Sequence, residues 1–501
     1  MSQTAVSTGK SRTLRKSIFI SIILIALTWG TIIYWWQATQ RNVTGWNIAL
    51  WLGVLPCVLL PAMLILKRRK VRVQDALARQ AMPENLMTQP SLPNVQPAPA
   101  LPILNAWAVA HAAMDAGTLT RMLAERRTRP RPDPELTDDD GFPVLTSRVA
   151  GLDTVGVERW LARADAACHL SAPSGWRAAF VRTLALLELL IGQIERDSDA
   201  LAAATVRNSI GQDESGATLR GTPDTSGHIK QFRILVRLMI PDAFSPHEWQ
   251  LALDYLTQRL PLSPDGNLQV ELVTEQDDAS AIAELERFSL KSRDERDPQA
   301  LLLLACDSML CPDVLANWQS NASLFGTSCP NGLMAGEGAF GILCANAAGL
   351  DALSVPAACL LAGASSSMRD HSADAPGKPS HTALDLAAHD ALARSGLAPD
   401  QVGMVVCDTD HRPSRILECI GTMARHTPHL DAIQSRFAVS ESCGHLGAAS
   451  GLATLAAGVQ HVTDTSSPVL VLNLDHAVNR TAAVLVPSVE TGRHQINATA
   501  V

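Results

Sequence analysis

The residue best placed to do chemistry is His445. It lies in Gly444-His445-Leu446-Gly447-Ala448-Ala449, at the head of an alanine-rich stretch that runs to Val462. An imidazole at a helix start polarises a carbonyl or relays a proton only when a nucleophile or an oriented acid stands beside it. Without one, it reads as a partly buried, hydrogen-bonded histidine that anchors the helix start. His426 and His429 have the spacing of two zinc ligands, but no cysteine or carboxylate pair at matching spacing accompanies them. Neither a metal nor a cofactor is therefore expected. In "ERRTRPRPDPELTDDDGFP", Arg126, Arg127, Arg129 and Arg131 precede Asp138, Asp139 and Asp140. Prolines interrupt the basic run, and the acidic run lacks the spaced oxygen ligands of a calcium loop, so the stretch reads as a solvated surface loop.

The elements that must hold these residues alternate. "QFRILVRLMIP" has buried-strand character, and "SPHEWQLALDYLTQRL" after it has helical apolar spacing with Ser245 as N-cap. "NLQVELVTE" reads as a strand, "ASAIAELERFSL" as a helix and "ALLLLACDS" as a strand. The pattern resumes with "ACLLAGASS", "HTALDLAAHDALARSG", "VGMVVCDT", "SRILECIGTMARH", "FAVSES" and "GAASGLATLAAGVQHV", strand and helix by turns. It closes on the strands "PVLVLNLDH" and "TAAVLVPS". Such alternation predicts a layered α/β region.

With 501 residues, 47% of them hydrophobic and 18% charged, the chain has ample material for a buried core. A net charge of −8 argues against a nucleic-acid-binding surface. The charge is unevenly placed. Lys10, Arg12, Arg15 and Lys16 precede an uncharged apolar run from Ser17 to Trp36, and Lys67, Arg68, Arg69, Lys70 and Arg72 follow a second run from Gly45 to Leu66. Each run spans about 20 residues, enough to cross roughly 30 Å of hydrocarbon as a helix. Trp35, Trp36 and Trp46 sit at the run ends, where interfacial aromatics belong. A cleaved signal peptide is the alternative for the first run; its length, and the lack of a small-residue cleavage pattern before the second, oppose it. The connection between the runs carries only Arg41, so the positive-inside rule places both termini and the large domain in the cytoplasm. Ten cysteines without framework spacing agree with a reducing compartment. Residues 1–16 are then a basic N-terminus and 17–36 and 45–66 a transmembrane hairpin. Residues 67–102, with prolines at 83, 90, 93, 97, 99 and 102, form a basic and Pro-rich tether. The α/β region divides into residues 103–299 and 300–490, with a tail at 491–501.

From about Ala300 onward the order of segments resembles the thiolase-like superfamily, most of all its β-ketoacyl synthase branch. "ALLLLACDS" resembles the strand with the Ala-Gly-Gly segment, and Gly336, Glu337, Gly338 and Ala339 match the Gly-Glu-Gly-Ala strand. "PAACLLAGASSSMRD" and "TALDLAAHDALARSGLAPDQVGMVVCDTDHRPSRILE" resemble the next strand, helix and strand, ending in a matching Glu418. The Gly-His-Leu-Gly-Ala-Ala segment and "NLDHAVNRTAAVLV" complete the order. The resemblance implies an α/β/α/β/α fold in which residues 103–299, the weaker match, supply the first half.

It also implies a decarboxylative condensation, which needs a cysteine thiolate at a helix N-terminus and two histidines. Here the pattern departs from the family. The stretch matching the nucleophile segment, "VTEQDDASAIAEL", has no cysteine, and Asp277 and Asp278 raise the cost of forming an alkoxide at Ser280. Cys168, in "DAACHLS", looks superficially like the nucleophile motif but stands over a hundred residues too early. Counting back from Glu418, Cys407 occupies the place of the first family histidine. Ser-Glu-Ser-Cys replaces the usual lysine region, and "DHAVNRT" replaces the glycine-rich oxyanion loop. Asp277, Ser280, Cys407 and His445 are thus positions of a degenerate site, none expected to be catalytic.

The layout of a two-helix anchor followed by a large α/β region resembles the bacterial type VI secretion lipase adapter family. That resemblance implies a bacterial inner-membrane protein that binds a secreted effector, a lipase, and the spike protein that carries it. A homodimer is compatible with it. The rival reading is a ketosynthase-like or acyl-transfer enzyme acting on fatty acyl thioesters at the bilayer, opposed by the missing thiol.

Overall fold

In the computed structural model, residues 100–168, 176–197, 232–260, 268–273, 280–293, 295, 297–375 and 380–488 are described. The two apolar runs, both basic N-terminal clusters, Asp277 and the tail lie outside the described residues. Among the described residues no helix is long and apolar enough to cross a membrane.

The chain begins with β1 (Leu101–Ala110), α1 (Ala116–Glu125), β2 (Arg131–Thr137), β3 (Pro143–Ser147), α2 (Val155–Cys168) and α3 (Trp176–Asp197). It continues through β4 (Arg233–Met239), α4 (Pro246–Arg259), β5 (Leu268–Val273), α5 (Ala281–Ser292), β6 (Gln299–Ser308), α6 (Pro312–Ser320), β7 (Ala335–Ala345) and α7 (Ala347–Leu353). Then come β8 (Cys359–Met368), α8 (Thr382–Ser395), β9 (Met404–Cys407), α9 (Pro413–His426), β10 (Arg436–Ala438), α10 (Val439–Cys443), α11 (Ser450–Thr465), β11 (Val469–Asn473) and β12 (Asn479–Pro487).

Ten strands lie in the order β5-β4-β6-β7-β1 followed by β8-β12-β11-β9-β10. Numbered within its own half and read from its outer edge inward, each set reads 3-2-4-5-1. The directions repeat as well: β4 is parallel to β5 and β6, β9 is parallel to β10 and β11, and the β6–β7 and β11–β12 pairs are antiparallel. The halves join where Leu101–Ile103 of β1 meets Cys359–Leu361 of β8. α5 and α11, each entering from the third strand of its half, occupy equivalent places.

Five layers follow from the packing. α3 and α4 bury their apolar sides on the first sheet, α8 and α9 on the second, and α1, α5 and α11 fill the space between. The composition obeys these positions. β6 (QALLLLACDS) is buried along its whole length because helices cover both faces, so its apolar run is continuous rather than alternating. α11 is Ala/Leu/Val-rich on nearly all sides because sheets cover it from two directions. α4 opens as its sequence predicts: the Ser245 hydroxyl caps the Glu248 amide, and the Glu248 carboxylate accepts from the Ser245 amide.

Two expectations are corrected. The "solvated loop" after α1 is a hairpin of β2 and β3, and its Asp133 is buried. That carboxylate accepts from Thr146, from Arg148 and from the amides of Glu135 and Leu136, so the charge is repaid locally by hydrogen bonds that a charge count does not register. "FAVSES" contributes only Phe437 and Ala438 to β10 before turning into the single helical turn of α10. β6 and β7 hydrogen-bond into the first sheet, and the crossing between halves comes after α7.

Candidate functional site at the join of the halves

The repeated topology brings the carboxyl ends of β4, β6, β9 and β11 and the starts of α5 and α11 to one place. Strand ends and helix starts leave backbone groups and short loops, the usual setting for a site in a parallel α/β sheet. A cavity of about 470 Å³ lies there, lined by Ser280 and Ala281 from α5, Asp307 from β6, Asp408 after β9, and His445 and Asp475 beside α11 and β11.

His445 is held from several sides. Its amide donates to the Met334 carbonyl at 2.7 Å, and its ring meets that of Trp318 edge-on at 5.6 Å. Gly336 lets the segment pass: a Cβ there would stand 2.1 Å from the Cys443 carbonyl oxygen, and Gly444 takes φ +68° in the same crossing. His445 Nδ1 stands 2.7 Å from Asp475 Oδ2. The two groups form a close ion pair. Burial works against the imidazolium, but the Asp475 carboxylate outweighs it and raises the histidine above its ordinary pKa. Burial likewise opposes the Asp475 anion, yet His445, Arg412 and Arg415 hold its pKa far below the usual carboxylate range.

That carboxylate anchors a wider ionic lattice. Arg412 Nη2 donates to Asp475 Oδ1, Arg412 Nε to Asp410 at 2.6 Å and Arg412 Nη1 to Asp374 at 3.3 Å. Arg415 Nη2 donates to Asp374 at 3.0 Å and to the Asp475 carbonyl at 3.0 Å. Asp408 accepts from the Leu474 amide at 2.7 Å; burial and the nearby Asp475 charge push its pKa up to about 7. Glu418, matched to a family position, receives Arg480 at 2.8 Å and Arg369 at 2.8 Å. It thus clamps α9 to β12 and β8. Glu337 of the Gly-Glu-Gly-Ala segment receives Arg182, Ser308 and the Val149 amide. Both glutamates are held in buried ion pairs.

The structure brings Ser280 and His445 to the same cavity and separates Cys407 from it. Ser280 is the N-cap of α5, its oxygen accepting from the Ala283 amide at 3.1 Å. The first helical residue after it is Ala281, a methyl group on the cavity wall. Side chains alternate at the end of β9, so Asp408 faces the cavity while Cys407 packs under α9 in the outer core. No cysteine lines the cavity among the described residues. Cys443 lies two positions before His445 but is fully buried, its thiol pushed up to about 12 by burial. Sequence reasoning missed Asp307, Asp408, Arg412 and Asp475. Only Asp475 carried a signal, as a charged side chain in place of a loop glycine.

No protein-family profile and no curated protein matches the chain. Solved structures do. A type II polyketide synthase ketosynthase in complex with its acyl-carrier protein is 11% identical, with a TM-score of 0.51, 78% of this chain and 100% of that one covered. A mutant ketosynthase from module 6 of the bacillaene synthase of Bacillus subtilis 168 gives 11% identity and 0.51, covering 78% and 72%. An oxazolomycin ketosynthase domain of Streptomyces albus JA3453 gives 13% and 0.50, covering 78% and 75%. With the repeated 3-2-4-5-1 sheets and five layers, these likenesses establish a thiolase-like fold of the ketosynthase type.

Proposed function

We propose that the chain is a non-catalytic ketosynthase-like protein that binds a partner protein. The observation that carries this reading is the cavity itself. At the start of α5 it presents an alanine methyl and a serine oxygen engaged in capping, and its histidine is ion-paired to Asp475. Acyl transfer to an enzyme thiol needs a thiolate, and an imidazole alone contributes little to rate because nucleophile and histidine act as a unit. The clamps around Asp475 and Glu418 make a rigid scaffold, which suits a binding surface that is preorganised.

The finer reading joins this scaffold to the two apolar N-terminal runs. In it the chain is anchored in a bacterial inner membrane with its large domain cytoplasmic, and it escorts a type VI secretion effector, a lipase, to the spike. The layout of the sequence supports it. The test is co-purification of the detergent-solubilised full chain with a lipase and a spike protein encoded beside it, alongside incubation with a labelled acyl thioester. Stable capture without covalent labelling is the expected result. Acylation anywhere in residues 273–281 would replace the adapter with an acyltransferase.

A further inference from the structure

We infer that the cavity binds a small organic ammonium compound with a hydroxyl beside the amine, held by Asp408, Asn473 and Thr481. The inference deepens the reading of the cavity as a binding rather than a reacting site, and it rests on that reading. Three neighbouring strands set the three side chains in a row. Cys407 pairs with Leu472 and Asn473 with Thr481, so Asp408, one residue past Cys407, comes level with Asn473. Leu472 and Ala482 pack in the outer core and Val471 and Ala483 in the inner one, which turns Asn473 and Thr481 to the inner face with Asp408. All three line the cavity and are buried, whereas Asp374 at its mouth is 49% exposed.

Each member of the row has hydrogen-bonding capacity that the chain does not use. Asn473 Oδ1 accepts from the Thr454 hydroxyl at 2.6 Å, and its Nδ2 is left without an acceptor. Gly451 leaves that nitrogen room, since a Cβ there would stand 3.1 Å from it. The Thr481 hydroxyl has no partner either. Asp408 Oδ1 takes the Leu474 amide at 2.7 Å, but Oδ2 has only the Ser450 hydroxyl at 3.5 Å. Buried polar atoms are rarely left unpaired, and two of them beside a cavity of about 470 Å³ mark the floor of a ligand site.

Charge decides the class of ligand. Asp242, Asp307, Asp374, Asp408 and Asp475 line the cavity, against the cations Arg412 and His445. Those two cations already engage Asp475, and Arg412 and Arg415 engage Asp374. Among the described residues no basic side chain is paired with Asp408, whose pKa near 7 is that of a buried carboxyl short of a countercharge. A carboxylate or phosphate ligand would be repelled here. An ammonium would supply the missing cation, donating to Asp408 Oδ2, and a hydroxyl beside it would accept from Asn473 Nδ2 and bond the Thr481 hydroxyl. Ala281, Met309 and Leu333 give the rest of the cavity an apolar wall, which suits a short alkyl chain.

The test titrates the detergent-solubilised full chain by calorimetry with 2-aminohexan-1-ol, hexylamine, hexan-1-ol and hexanoate, each corrected for its heat with detergent alone. The pH is held near ~8, where an alkyl ammonium is charged and Asp408 is ionised. The amino alcohol should bind tightest, hexylamine more weakly, hexan-1-ol at least about tenfold more weakly than the amino alcohol, and hexanoate not at all. Asp408→Asn should cost the amino alcohol about tenfold or more in affinity while leaving hexan-1-ol unchanged, and Thr481→Val should narrow its lead over hexylamine. The proposal is overturned if no amine binds, so that the cavity holds water only, or if hexan-1-ol or hexanoate binds as tightly as the amino alcohol. The wild-type panel decides this even if a variant fails to fold. Labelling by an acyl thioester is read separately, so failure of the non-catalytic reading is distinguishable from failure to bind an amine.

Discussion

The two halves share one strand order but treat buried charge differently. In the first half each internal ion pair keeps an edge in solvent: Arg182 on Glu337 is 15% exposed and Arg148 on Asp133 is 18% exposed. In the second half Arg480 and Glu418 are 0% and 1% exposed, and Arg412, Arg415 and Asp475 interlock close by. The strand ends show the same contrast. Asp307, at the end of β6, accepts the Ala448 amide at 3.0 Å and so fastens the start of α11 to the opposite sheet. Asp475, at the corresponding place after β11, engages His445 and Arg412. A repeated backbone can thus carry a loosely solvated half and an ionically locked half, and the histidine belongs to the locked one.

The largest effect should come from cutting that lock. Arg480→Met leaves Glu418 with Arg369 alone, and loss of one member of a buried pair costs about 3–5 kcal/mol. Arg182→Met should cost clearly less in the same urea-unfolding measurement, because Glu337 keeps the Val149 amide and the Ser308 hydroxyl. An equal loss at both positions would break the contrast between the halves.

Next is Asp475→Asn, which weakens the hold on His445 by about 2 kcal/mol, less than a fully buried pair because the imidazole is partly exposed. The pH dependence has a definite sign. His445 has its pKa raised on folding, so its contribution is fully present below the ordinary value of 6.5 and is lost as pH rises through the higher folded value. The wild-type advantage over Asp475→Asn should therefore be greater near pH ~5.5 than near pH ~8.5. A constant gap would mean that Asp475 matters through Arg412 and Arg415 alone.

The smallest effect is Ser280→Ala. Loss of the N-cap of α5 should lower stability by about 1 kcal/mol, without changing the response to acyl thioesters. Altered labelling in this variant would restore a chemical role to the first half's helix start.

Much of the frame was legible along the chain. The buried run of β6, the capping box of α4 and the alanine-rich α11 are local patterns, set by which faces meet water. The hairpin of β2 and β3 was not legible, because Asp133 is neutralised by Arg148 and Thr146 from a different strand and turn. Nor was the partner of His445. Asp475 stands thirty positions away, and only the return of β11 beside α11 places its carboxylate within 2.7 Å.

The sequence by itself determined the alternation of elements, the lack of a cysteine ahead of α5 and the thiol at position 407, since each depends on residue type at a local position. Tertiary structure decided that Asp408 rather than Cys407 faces the cavity, that His445 is ion-paired, and that Cys407 meets Thr409, whose hydroxyl Arg436 also reaches. Those outcomes depend on strand register, on the side each residue takes at a strand end, and on charges brought close in a low-dielectric interior. None of these is a property of a single segment.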